Sequence, residues 1–192
     1  METGLRAKGK IYIGVQPAVL HAFLISSHSL DRDSSQYSTR APKEKLNVCF
    51  EGIQIEPGAV VPMRNLKNAP RVTLKVDPES TFSLIMIDPD NLSRKNPSVA
   101  EWLHWLVVNI PASNINEGIN GGQHQQPYGS PAPQPRTGDH RYIIVLFEHQ
   151  GRRVPCPKFN TRAKFSLKQF IEKHQLGAPL AGNFFISKNE QQ

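Results

Sequence analysis

The run Tyr142-Ile143-Ile144-Val145-Leu146-Phe147 limits the fold more than any other stretch of the chain. In a strand, successive side chains point to opposite faces. A run that is apolar at every position therefore needs cover on both faces, which places it in the middle of a sheet. Other apolar runs are short and end at turn residues. Leu46-Asn47-Val48-Cys49-Phe50 alternates and meets Gly52, and Glu56-Pro57-Gly58 reads as a turn. Val72-Thr73-Leu74-Lys75-Val76 alternates as far as Asp77-Pro78, and Phe82 to Ile87 is nearly continuous up to Asp88-Pro89-Asp90. This punctuation predicts a mainly β fold. With 16 prolines and 13 glycines spread through 192 residues, long helical bundles and coiled coils are poor candidates.

Trp102 to Ile110 carries two signals. Ser98-x-x-Glu101 is a capping box that would open a helix, whereas Val107-Val108-Asn109-Ile110-Pro111 is β-branched and stops at a proline. The stretch reads as a strand with a short turn at its start. One helix is clear. Ser166 is its N-cap, Gln169 completes a capping box, and Leu167, Phe170, Ile171 and His174 share a face. Gly177 supplies its stop and Pro179 follows. Asn183 to Ile186 reads as a last short strand. Between Pro111 and Asp139 no periodicity is visible, and five prolines stiffen the stretch (Pro111, Pro127, Pro131, Pro133, Pro135). So long a structureless segment is uncommon in a compact domain and reads as an ordered loop shaping a site.

The domain proper is expected over residues 42–187, with a short tail at 188–192. Residues 1–41 read as a poorly ordered extension and polar linker. The extension also has some character of a targeting signal, because Arg6, Lys8 and Lys10 precede a semi-apolar stretch from Ile11 to Ile25. No run of 18 apolar residues exists, so no transmembrane segment is expected. Two cysteines, Cys49 and Cys156, make no disulfide framework and no C-x-x-C pair. They suit reduced thiols in a cytoplasmic protein. Secreted or mitochondrial placement is the alternative if the N-terminal segment is a signal.

Three segments can carry chemistry: Asp88-Pro89-Asp90, Glu101 to Trp105, and Thr137 to Tyr142. By strand alternation His140 and Tyr142 project together, as do Trp102, His104 and Leu106. If both strands lie in one sheet, two histidines, a tyrosine and Asp88 converge near one sheet end and suit an oxyanion. Asp88, His104 and His140 also have the composition of a two-His-one-carboxylate metal site, but their spacing does not force convergence, and no metal is expected. Gly-x-Ser-x-Gly, His-Glu-x-x-His and Walker-type loops are all missing. The net charge of +7 permits anionic partners. Its densest part, Arg152 to Lys173, is either a solvated face or a patch for acidic lipid or an acidic partner. The phenylalanines within it read as core, so nucleic acid is not expected.

Together these segments resemble the phosphatidylethanolamine-binding protein family, which includes the Raf kinase inhibitor proteins and the plant florigens. The first motif is Phe82 to Asp90 followed by Ser93-Arg94-Lys95-Asn96-Pro97, and the second segment is Glu101 to Pro111. A third motif usually runs Tyr-x-Gly-Pro-x-Pro-Pro-x-Gly-Thr-Gly-x-His-Arg-Tyr. Here it is Tyr128-Gly129-Ser130-Pro131-Ala132-Pro133-Gln134-Pro135-Arg136-Thr137-Gly138-Asp139-His140-Arg141-Tyr142, with the spacing kept. The similarity covers roughly Pro42 to Ile186.

The resemblance implies an antiparallel β-sandwich with one small peripheral helix. It implies a pocket for phosphate-bearing head groups such as that of phosphatidylethanolamine, lined by Asp88, His104, His140 and Tyr142, with Pro131 and Pro133 in its wall. Arg136 and Trp102 are candidates for its rim. The family acts by binding, often on kinase pathways or proteases. The expectation is thus a monomeric binding protein with no cofactor and no catalytic residue. The chain departs from the family pattern at Leu92 (usually proline), at Ser130 and Arg136 (usually glycine) and at Gln134 (usually proline). The alternative is a protein-interaction scaffold whose pocket is vestigial.

Overall fold

A computed structural model describes residues 42–119, 121–149, 151–156 and 158–191. The expectations for residues 1–41 lie outside the described residues. Among these, ten strands form two sheets. The larger runs β1 (Glu44–Lys45), β10 (Ala181–Ser187), β9 (His140–His149), β6 (Thr81–Asp88), β7 (Trp102–Pro111), β8 (Gln123–Gln126), with β4 (Ala59–Val60) also paired to β10. The smaller is β3 (Ile53–Gln54), β2 (Asn47–Phe50), β5 (Arg71–Thr73). The fold is mainly β and its helices are short, as expected.

The apolar runs of β6 and β9 are explained by what covers them. On one face, Phe82, Leu84, Met86, Tyr142, Ile144 and Leu146 pack with Val48, Phe50 and Val72 of the small sheet and with Leu46 just before it. On the other, Ile85, Ile87, Ile143, Val145 and Phe147 pack under Phe165, Leu167, Phe170 and Leu176. β9 lies between β10 and β6, antiparallel to both. Each fully covered large side chain contributes about 1.5–3 kcal/mol, so the doubly buried strands contribute heavily to the fold's stability. Asn183, buried on β10, knits the layers by donating to the Leu46 and Ile55 carbonyls at 2.9 and 3.0 Å.

The helix spans Leu167–His174, and the Ser166 side chain accepts from the Gln169 N–H as its sequence requires. Glu101 supplies a second cap, its carboxylate accepting from the Leu167 N–H at 2.7 Å. The helix ends at Gln175, which takes the left-handed conformation (φ 52°) and returns its N–H to the last turn. Gly177 lies beyond that stop.

Two expectations are corrected. The alternation of Val72 to Val76 yields a strand only over Arg71–Thr73. Trp102 opens β7 after a turn at Ser98-Val99, as read from the sequence. The stretch Pro111 to Asp139 holds a helix, Ala112–Glu117, and the edge strand β8. Its irregular part is Pro127 to Asp139. No described helix is long and apolar enough to cross a membrane.

Candidate functional site

Asp88 ends β6, His140 begins β9, and Trp102 and His104 begin β7, so hydrogen-bonded neighbours bring these residues to one end of the large sheet. They meet at a cavity of about 370 Å³ lined by Asp88, Trp102, His104, Pro133, His140 and Tyr142, together with Asn91, Leu92, Val99, Gly129, Ser130, Ala132, Gln134 and Arg162. Pro131 is buried next to it in the same loop. Arg136 is exposed and is not among the lining residues.

His104 arrives by a route that alternation alone does not give. On the β6–β7 ladder Met86 faces Trp105 and Ile87 faces Leu103, so His104 is an extra residue at a bulge. A bulge re-aims side chains. Leu103 and Leu106 belong to the helix-covered core, whereas Trp105 and Val107 belong to the core between the sheets. His104 therefore does not share a face with Leu106. Its ring lies edge-on to Tyr142, with centroids 5.2 Å apart.

The two histidines are held differently. His104 Nδ1 is 2.7 Å from the Gly129 carbonyl. A carbonyl only accepts, so Nδ1 carries the proton, and Nε2 is buried without a protein partner among the described residues. Burial pulls the His104 pKa below the usual histidine value. The Gly129 bond and the Asp88 carboxylate oppose this without overcoming it, and Arg162 and His140 add to the lowering. His140 Nδ1 is 2.8 Å from Asp88 Oδ2, and its Nε2 is 2.9 Å from Thr137 Oγ1. Thr137 spends its own proton on the Gln134 carbonyl at 2.7 Å. Both His140 nitrogens are thus engaged by groups of the wall, and the ring is paired with Asp88, each only 1% exposed. The second Asp88 oxygen accepts from the Asp90 N–H at 2.7 Å. Asp88 and His140 thus already spend their polar atoms on the wall. Among the described residues no group of three or more His, Cys, Asp or Glu is placed to hold a metal ion.

A second buried pair stands behind the first. Arg141 grips Asp90 through Nε at 2.8 Å and Nη2 at 2.6 Å, and its own backbone N–H adds a bond at 2.9 Å. Sequence alternation does not reveal this pair, because Asp90 reads there as a turn residue.

Arg162 is the residue that the sequence reading misses. It is part of the basic stretch and reads as surface. Instead its Nη1 donates to the Leu103 and His104 carbonyls at 2.9 and 2.7 Å, and its Nη2 to Pro127 at 2.8 Å. It braces the cavity wall and lines the cavity. Among the described residues it has no carboxylate partner. Gly129 makes room for it: a Cβ there would lie 2.8 Å from Arg162 Nη1.

The irregular wall is tied down on both sides. Tyr128 and Ser130 hydroxyls both donate to the Leu66 carbonyl, at 2.7 and 2.9 Å, and Asn189 of the C-terminal tail donates to Pro133 at 2.9 Å. Ser130 thus adds an anchor where the family pattern has glycine. Arg136 adopts φ 65°, a left-handed conformation that costs a side-chain-bearing residue about 1–2 kcal/mol. Replacing it with the glycine of the pattern is expected to raise stability by about 0.5–1 kcal/mol, once the greater freedom of glycine in the unfolded chain is subtracted. A denaturant midpoint that falls in Arg136→Gly would show that the arginine makes a compensating contact.

Comparison with known proteins agrees with this geometry. The family model described as "Phosphatidylethanolamine-binding protein" matches residues 51–185. The chain is 33% identical over 154 residues to "Putative odorant-binding protein A5" of Drosophila melanogaster, covering 77% of this chain and 71% of that one. It is 34% identical over 150 residues to "Protein TERMINAL FLOWER 1" of Arabidopsis thaliana, covering 78% and 82%. Among solved structures, the carboxypeptidase Y inhibitor complexed with its cognate proteinase superposes with a TM-score of 0.71 at 16% identity, covering 94% of this chain and 98% of that one. The match in sequence, with the sandwich and the histidine-lined cavity in place, leads to one conclusion: the chain belongs to the phosphatidylethanolamine-binding protein family.

Proposed function

We propose that the protein is a non-enzymatic binding protein whose cavity takes a phosphate-bearing head group, such as that of a phosphatidylethanolamine-like lipid. One observation carries the reading: Arg162 lines the cavity with carbonyl partners and no carboxylate among the described residues. A guanidinium offers planar, permanently charged donors suited to phosphate. The volume falls within the range of small-ligand sites. Asp88, His104, His140 and Tyr142 shape the cavity, while Trp102 and Pro133 close its sides. Two free thiols, Cys49 and Cys156, support work in a reducing compartment such as the cytoplasm.

The test is calorimetric titration with O-phosphoethanolamine, with the His104 ring protons followed by NMR. Saturable binding and a shifted His104 ring are expected. Arg162→Met, checked for a native unfolding transition, should weaken binding roughly ten- to a hundredfold, the worth of a charged hydrogen bond. No response at millimolar ligand would overturn the reading. It would favour the second one, a surface that binds a kinase or protease. That reading is supported by the carboxypeptidase Y inhibitor neighbour, whose structure is a proteinase complex, and by the exposed cations Arg153, Lys158, Lys164 and Lys173.

A further inference from the structure

We infer that the protein carries a second small-molecule site, which takes a free amino acid with an aromatic side chain. The site is a cavity of about 430 Å³ whose lining includes Arg71, Trp105, Glu117, Gly118, His124 and Tyr128. It stands back to back with the cavity described above. His104 and Gly129 line the first cavity, and their chain neighbours Trp105 and Tyr128 line this one. One feature of the lining is its rings. Trp105 meets Tyr128 edge-on with centroids 5.8 Å apart, and lies within 29° of parallel to His124 at 6.4 Å. The indole N–H donates to His124 Nδ1 at 3.4 Å, and the Tyr128 hydroxyl is spent on the Leu66 carbonyl. With their donors occupied, these rings offer a surface on which another ring packs well.

The other feature is a pair of opposite charges kept apart. The Arg71 guanidinium is fixed by main chain: Nε and Nη2 donate to the Glu117 carbonyl at 3.3 and 3.2 Å. Gly118 leaves room for this, since a Cβ there would lie 3.2 Å from Arg71 Cγ. The Glu117 side chain lines the same cavity. Yet the two charges do not pair with each other, and neither has an ion-pair partner among the described residues. A lone cation bound here would face Arg71, and a lone anion would face Glu117. A molecule that carries both charges a few bonds apart answers both. Its carboxylate meets the planar fork of Arg71, its ammonium meets Glu117, and its side-chain ring meets Trp105 and Tyr128. A free α-amino acid has this arrangement. Either end of a peptide carries only one of the two charges.

The chain has two tryptophans, one on each cavity, so their indole N–H signals in an NMR spectrum report on the two sites separately. Trp102→Phe assigns the signals. The probe is L-phenylalanine. The Trp105 signal should shift saturably at millimolar ligand while the Trp102 signal stays in place. Phenethylamine lacks the carboxylate and phenylpropionate lacks the ammonium. Each should bind roughly ten- to a hundredfold more weakly, the worth of one charged hydrogen bond. Glu117→Gln should remove the advantage of L-phenylalanine over phenylpropionate, and Arg71→Met its advantage over phenethylamine. If Arg71→Met does not fold, Glu117→Gln decides, because the Glu117 side chain is exposed and holds no ion pair among the described residues. A Trp105 signal that does not move, or both analogues bound as tightly as L-phenylalanine, would overturn the inference. So would a shift of the Trp102 signal alone, which would place the probe in the first cavity. None of these outcomes bears on the phosphate reading, which is tested with a different probe in the other cavity.

Discussion

Asp90→Ala is expected to cost about 3–5 kcal/mol of stability, the range seen when one member of a buried ion pair is removed. The variant leaves Arg141, only 8% exposed, with a buried charge and an unanswered backbone N–H. In a chain of this size the loss corresponds to a fall in melting temperature of roughly 6–20 °C, read by thermal unfolding. Arg94→Ala is the control. Arg94 also approaches Asp90, at 3.6 Å, but its side chain is 51% exposed, and exposed pairs are worth at most about 1 kcal/mol. An equal loss in both variants would mean that charge burial does not set the cost. The pair also has a pH signature. Burial alone would raise the Asp90 pKa, but the hydrogen bonds and charge of Arg141, with the charge of Arg94, outweigh it and hold the value below the usual carboxylate range. The folded value is the depressed one. The pair's contribution is therefore complete above the unfolded value of about 3.9 and is lost as pH falls through the folded value.

His140→Ala should cost a similar amount, and for a reason unrelated to ligand. It strands the Asp88 carboxylate in a site where both partners are 1% exposed, again worth about 3–5 kcal/mol. The diagnostic is the double variant. With Asp88→Asn added, no charge of this pair remains buried, and most of the loss should be recovered, because an apolar or neutral replacement of a whole buried pair is close to neutral. Denaturant unfolding of the two single variants and the double variant closes the cycle. A double variant less stable than His140→Ala would show that Asp88 is held by its bond from the Asp90 N–H, not by His140.

Much of the fold was legible because its central strands are apolar almost throughout and its helix carries its N-cap in sequence. The Ser166–Gln169 box and the Leu167–Phe170 face need no tertiary context. Ala112–Glu117 and Gln123–Gln126 were not legible. The first is too short to show a period, with only Ala112 and Ile115 buried. The second is polar throughout and is held by backbone pairing to β7. Of the site, the residues brought in by strand order, Asp88, His140 and Tyr142, were foreseeable from alternation. Asp90 and Arg141 stand 51 residues apart in sequence, and nothing local joins them. Arg162 read as one more surface cation because its partners are carbonyls, which leave no trace in a sequence. Sequence likewise does not reveal that both His140 ring nitrogens meet groups of the wall, Asp88 and Thr137.

The bulge at His104 separates the pocket from the scaffold. A supernumerary residue in β7 brings an imidazole into the cavity, while the β6–β7 pairing resumes on either side of it. Loss of that one residue would let the ladder close and would leave the sandwich intact but the cavity without its unpartnered nitrogen. Overall shape is therefore a poor guide to whether such a cavity holds this imidazole. The more informative comparison is the count of residues between the β6–β7 rungs that flank the imidazole, since one codon there decides whether the ring enters the cavity.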